Sequence, residues 1–379
     1  MPAVFSCGRH TAEIRSMGDV YLIGPAEPLM RVRYNRIKDD VSHAEIELPT
    51  YECCDLLSEL RTVMHELHIF RDGVPVWQGP ITRLEYDVDT VRVYAEDMLW
   101  VAKKHTVEEG YNHSHPDIGN VISDMHWQII VQCFMKNGDP WRMTSGGPLG
   151  GDLHLFPIHH ADLADDPREA RVVFPYSMTT WEDFDKYAED YGADYTVVNR
   201  DIYYWDIHLA WKIIPDLTEE FISDAPRIVE YGNQLITRAI VTNGKGYAGM
   251  VVAPDDVLAA YGYIDDLTSN VSESSIVDGP PSVEDVTEWA ETARRKLDGA
   301  YPSPVAIVIP ANTTLLPDSP WTFDDLFPGA WFQITVDRLC RSVTEWQRLH
   351  EVVVEERAPN GETINFTAVS SPGSMIIPA

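Results

Sequence analysis

A period of two constrains this chain more than any other feature. In Ala44, Ile46 and Leu48, and again in Val91, Val93 and Ala95, apolar residues alternate with mostly polar ones. That is the signature of a strand with one face buried and the other wet. Arg71-Asp72-Gly73 separates His65 to Phe70 from Val74 to Trp77, and an Asp-Gly pair supplies the positive φ angles of a tight turn, so these runs form a hairpin. Trp77 reads as a core anchor behind that hairpin, with Gly79-Pro80 as a turn that redirects the chain. β character returns in Trp331 to Val336, Leu349 to Glu356 and Thr363 to Val369, with a turn at Pro359-Asn360-Gly361. The chain begins and ends in β material, and the fold class is mainly β with α+β insertions.

The insertions have a different texture. From Ile118 to Phe134, apolar residues recur at helical spacing between His115-Pro116-Asp117 and Asn137-Gly138, a start and a stop signal. Met143 to Asp166 is rich in Gly, Pro and His without periodicity and reads as a long loop. Thr179 and Thr180 each precede an acid by three residues, which predicts a capped helix carrying Trp181, Phe184, Ala188 and Tyr191. Asp194 to Trp205, broken at Asn199-Arg200-Asp201, reads as a hairpin. Gln234 to Thr242 resumes strand character. Ser282 then caps a second amphipathic helix through Trp289, Ala293 and Leu297.

Composition removes several functions. Of 379 residues, 60 are acidic and 29 basic, for a net charge of −31, whereas binding a phosphate backbone runs on Lys and Arg. Such a chain repels nucleic acid. No apolar run approaches the ~20 residues that span a bilayer. Met1 to Ser16 carries Arg9, His10, Glu13 and Arg15 where a signal peptide needs unbroken hydrophobicity, so the expectation is a soluble chain that is not exported. Five cysteines without CxxC spacing read as reduced thiols from cytoplasmic assembly.

The motifs that invite chemistry fail on spacing or context. His65-Glu66-Leu67-His68 places its histidines on opposite faces of a strand, where a zinc protease needs i and i+4 on one helix face. His113, His115, His154, His159 and His160 are weak metal candidates, because imidazole is a common ligand but the spacing matches no ligand framework. Gly244-Lys245-Gly246-Tyr247-Ala248-Gly249 fits GxGxxG, yet the following Met250 to Pro254 reads as extended, where a dinucleotide site requires a helix. Acid pairs such as Asp165 with Asp166 or Asp324 with Asp325 arise by chance in so acidic a chain. The reading is a non-enzyme with no catalytic residues and no cofactor.

A wider resemblance covers nearly the whole chain. The run from Arg33-Tyr34-Asn35-Arg36 through Asp39 to Pro49, then Arg71-Asp72-Gly73 and Val76-Trp77-Gln78-Gly79-Pro80-Ile81, resembles the minor tail protein, or tail hub, of long-tailed, non-contractile actinobacterial phages. Asn233 to Gly249, Ala260-Tyr261-Gly262, the helix from Val286 to Leu297 before Pro302, and Leu326-Phe327-Pro328-Gly329 follow in that family's order. The resemblance implies two β-barrel hub domains per chain with smaller α/β domains inserted, and three chains in a pseudo-sixfold ring. It divides the chain into an N-terminal barrel at 1–102, an α+β domain with the His-rich loop at 103–227, a second barrel from 228–275 and 303–379, and a small helical insertion at 276–302. It also implies a structural role at the virion tail tip, assembled in the host bacterial cytoplasm. The implied partners are a distal tail ring protein, the tape measure protein and tip or central fibre proteins.

A trimer offering two equivalent barrels per chain mates with a sixfold tube above and a threefold fibre below. The resemblance further implies that the genome passes through the channel of such a trimer without specific binding, a passage that the acidic charge suits. Two rivals come from other classes. A tail-associated peptidoglycan hydrolase needs a convergent site, and a carbohydrate- or receptor-binding β-protein would use the many Trp and Tyr.

Overall fold

The computed structural model describes almost all of residues 8–104, 210–242, 248–269 and 305–370, with shorter pieces at 111–112, 158–160 and 172–173 and parts of 179–206 and 289–297. The N-terminal β material comprises β1 (His10–Ser16), β2 (Leu22–Pro25), β3 (Arg31–Ile37), β4 (His43–Pro49), β5 (His65–Arg71), β6 (Val74–Tyr86) and β7 (Thr90–Glu96), with α1 (Cys54–Glu59) after β4 and α2 (Leu99–Lys104) after β7. The first insertion contributes β8 (Tyr111–Asn112), β9 (Ile158–His160), β10 (Val172–Val173), β11 (Ala193–Val198) and β12 (Asp201–Asp206). Next come β13 (Leu217–Thr218), β14 (Arg227–Glu230), β15 (Arg238–Thr242), β16 (Ala248–Val252), α3 (Asp255–Tyr261) and β17 (Asp265–Ser269). The C-terminal part holds β18 (Val305–Val308), β19 (Thr313–Thr314), β20 (Trp331–Arg338), β21 (Arg341–Arg357) and β22 (Gly361–Ser370).

The two ends of the chain share one sheet of 12 strands, in the order β13-β20-β21-β3-β4-β7-β6-β5-β1-β2, with β22 on the free edge of β21 and β19 beyond it. The joint is β21. Its first half, Arg341 to Arg348, pairs with β20, and Glu351 to Arg357 pairs with β3. β22 runs along the other side, past a register shift between Leu349 and Glu351. Among the described residues no closed barrel forms.

The period-two pattern does what the sequence predicts. Ala44, Ile46 and Leu48 of β4 and Val91, Val93 and Ala95 of β7 are buried in one core with Leu67, Ile69, Ile334, Val354 and Phe366. Trp321 seals it, meeting Phe332 and Phe366 edge to face at 4.8 and 5.4 Å between centroids. The hairpin between β5 and β6 turns on Asp72 and Gly73, both with positive φ (52° and 81°).

Three local readings need correction, and one helix carried no signal. Gly79-Pro80 is not a turn, because β6 runs through it unbroken, pairing with β5 as far as Pro80 and with β7 from Ile81. A side chain at Gly79 would strike the Glu96 carbonyl oxygen, 1.9 Å from an added Cβ, so the glycine admits the end of β7 where the strand changes partners. β21 starts at Arg341, eight residues before Leu349, and its polar first half hides the strand. Ile158 to His160, inside the predicted loop, pair with Ile202 to Tyr204 of β12. The stretch from Asp255 to Tyr261 is a short helix with no buried residue, so it carries no apolar stripe to read.

The other elements agree with their signals where they are described. Thr179 and Glu182 exchange the reciprocal hydrogen bonds of a capping box. β11 and β12 form the hairpin, with Asn199 at φ 60° in its turn. β15 lies between β16 and β17 in a separate small sheet, whose inner residues Ala239 and Val241 are covered by Trp289, Ala293 and Leu297. The predicted helix from Ile118 to Phe134 lies outside the described residues.

Candidate assembly site

Charged residues stand at the ends of several inward faces. On β3, Arg36 follows Val32 and Tyr34 in the buried parity; on β5, Arg71 follows Leu67 and Ile69; on β22, Glu362 precedes Ile364 and Phe366; on β1, His10 precedes Ala12 and Ile14. They converge beneath Phe323. Arg71 Nε and Nη2 donate to Glu362 Oε1 and Oε2 at 2.7 and 2.8 Å, a bidentate pair with side chains 4% and 0% exposed. The Phe323 ring sits within 4.8 Å of the Arg71 guanidinium and 5.1 Å of that of Arg36. His10 Nδ1 lies 2.7 Å from Glu356 Oε2, and Nε2 lies 3.4 Å from the Tyr34 hydroxyl. Arg36 donates to the carbonyls of Leu326 and Val76, and burial lowers its pKa. This cluster ties the first strands to the last hairpin.

A second cluster holds the inserted hairpin. Asp194 of β11 accepts from Lys38 and from Arg348 of β21, and Lys38 also donates to Asp39. The Tyr195 hydroxyl donates to Asp185 at 2.6 Å, and its amide donates to Asp39 at 2.9 Å. Desolvation pushes the Lys38 ammonium down and the Arg348 guanidinium down to about 10. Around the ions pack Trp331, 5.0 Å from Arg348, and Trp205 and Tyr203 against Phe327 at 5.9 and 4.9 Å. At the end of β7, buried Asp97 accepts from the Ser42 and Leu99 amides at 2.7 and 2.9 Å. Burial raises its carboxyl to about 7, with those hydrogen bonds opposing the rise.

These clusters hold segments distant in sequence against one another. A cavity of about 560 Å³ opens beside His10 and Glu356, lined also by Arg9, Arg31 and Glu27, and its opposed charges select no one ligand class. Among the described residues no group of three or more His, Cys, Asp and Glu is placed to hold a metal, and no helix is long and apolar enough to cross a membrane. His113, His115 and His154 lie outside the described residues. His159 and His160 lie on β9 opposite Tyr203 and Tyr204. His65 accepts from the Arg61 amide, whereas His68 pairs with Glu66 at 3.0 Å, so the two rings serve different neighbours.

The six signature residues serve the fold. Arg71 makes the buried pair, Asp72 and Gly73 form the turn, Trp77 is 2% exposed in the core, and Gly79 and Pro80 mark the change of partner. Gly249, the last glycine of the GxGxxG match, lies in β16, where an added Cβ would come 2.6 Å from the Ala290 amide. It admits a helix backbone, not a phosphate. Sequence reasoning missed His10, Arg36, Lys38, Asp194, Arg348 and Glu362. For Arg36 and Glu362 a signal existed: a charge in register with the buried parity of its strand.

A mainly β chain whose first and last strands share one sheet, with small α/β pieces inserted between them, has the fold of phage tail proteins. Particular solved structures carry that statement. The 43 kDa tail protein of prophage MuSo2 from Shewanella oneidensis matches with a TM-score of 0.59 at 12% identity, over 97% of this chain and 100% of that one. The tail protein from Neisseria meningitidis MC58 matches at 0.58 and 10%, over 97% and 99%. Prophage tail protein gp18 from Listeria monocytogenes EGD-e matches at 0.54 and 9%, over 95% of each chain. No protein-family profile and no curated protein sequence matches the chain. The property shared with these three tail proteins is the fold.

Proposed function

We propose that this chain is the tail-tip hub of a long-tailed, non-contractile actinobacterial phage, a structural protein that joins the sixfold tail tube to threefold tip components and forms part of the DNA ejection channel. The observation that carries the reading is the end-to-end match to tail proteins, 97% of this chain on 100% of the Shewanella protein, at an identity too low for local motifs to produce it. In this reading, residues 1–102 and the material of 228–275 with 303–379 are the two hub domains, and 103–227 and 276–302 are inserted. Three copies assemble in the host cytoplasm against the distal tail ring and tape measure proteins, with tip or central fibre proteins below.

The joint between β3 and β21 supports such a role, because a hub that transmits load between its two halves needs them joined by backbone hydrogen bonds and buried ion pairs. Counting this chain in purified tails by native mass measurement tests the reading. Three copies per tail are expected; two or six would overturn it.

A further inference from the structure

Edge strands expose unpaired backbone groups, and proteins blunt them with charge, proline or cover. β2, at one end of the large sheet, ends in Pro25, and β17, at one edge of the small sheet, begins Asp265-Asp266. β16, at the other edge of that small sheet, has no such guard among the described residues. From Gly246 to Pro254 no residue carries a charge.

The direction of its backbone follows from two bonds. The Ala253 amide donates to Thr237 O on the β15 side, and the Arg238 amide donates to Ile264 O on the β17 side. Amides alternate sides along a strand, so Gly249 and Val251 face β15 while Ala248, Met250 and Val252 present their amides and carbonyls outward. The outer face beside this edge is also apolar: Met250, Ile240 and Leu267 lie in one cross-strand row, with Met250 54% and Leu267 67% exposed. The described part of the helix covers the inner face.

We propose that β16 accepts an extended segment of another protein, adding a fourth strand to the small sheet, and that this segment is apolar at alternate positions and flanked by Lys or Arg. Strand addition draws affinity from main-chain hydrogen bonds and specificity from alternate side chains. The charge of the occupant is set by complementarity. Exposed Asp255 and Asp256 stand just beyond Ala253 and Pro254 at the end of β16. A second copy would bring the same two carboxylates to the same edge, and like charges there are repulsive. The proposal is independent of the tail-hub reading.

The test uses the full chain and two synthetic peptides of alternating Val and Thr, one flanked by Lys-Lys and one by Glu-Glu, read by fluorescence anisotropy. The Lys peptide is expected to bind at least about tenfold more tightly, with the difference shrinking in high salt. Met250→Pro removes an outward amide without touching the ladder to β15, and the preceding Gly249 tolerates proline. It is expected to weaken the Lys peptide about tenfold or more, while Met250→Thr, which keeps the amide, stays within about threefold. If Met250→Pro fails to fold, Met250→Lys, which places a cation on the edge, is expected to weaken the same peptide. Equal affinity for both peptides, binding of neither, or equal losses in Met250→Thr and Met250→Pro would overturn the proposal. So would self-association of the parent that Met250→Pro abolishes, which would make a second copy the occupant.

Discussion

Replacing Arg71 by Met tests the joint between the two ends of the chain. Met fills much of the arginine stem's volume but leaves the Glu362 carboxylate, 0% exposed, without its bidentate partner; the nearest remaining cation is His10, 3.8 Å away when protonated. Removing one member of a buried pair costs roughly 3 to 5 kcal/mol, because the other charge is stranded. Loss of the guanidinium against Phe323, 4.8 Å from its centroid, adds about 0.5 to 1 kcal/mol. The expected total is about 3.5 to 6 kcal/mol by urea unfolding at pH 7.5. Arg71→Met with Glu362→Leu removes both charges and should recover most of the loss. A single variant within about 1 kcal/mol of the parent, or a double variant no better than the single, would refute the reasoning.

Three further outcomes are expected. Asp97, raised from 3.8 to about 7 by burial, stabilises the fold below pH 4 and loses that contribution as pH rises through about 7, so the melting temperatures of parent and Asp97→Asn should converge from pH 5 to 8 instead of diverging. Trp77→Ala should cost roughly 3 to 5 kcal/mol in thermal or urea melts, whereas Trp77→Phe should cost far less, because the buried indole N–H has no hydrogen-bond partner among the described residues. Gly249→Val should push the helix containing Trp289 off its sheet, costing about 1 to 3 kcal/mol; hydrogen exchange should show β15 and β16 losing protection while β3 to β7 keep theirs.

The sequence by itself determined the local conformations. Alternation in β4 and β7, the Asp-Gly turn after β5 and the capping box at Thr179 are each set by the residues' own backbone and immediate neighbours, and all are present in the fold. It also marked some of the charges that turn inward, since Arg36 and Glu362 share the parity of their buried neighbours. Only the tertiary structure decided what they meet. Arg71 and Glu362 are 291 residues apart, Asp194 and Arg348 are 154 apart, and a one-dimensional pattern is the same whichever buried countercharge answers it. Gly79-Pro80 shows the same limit: the pair reads as a turn locally and becomes a change of partner within one strand because β7 ends there. Pairing β21 with β3 likewise depends on the core both strands bury. A strand's pattern says that one face must be covered; which strand lies beside it is a property of the whole assembled sheet.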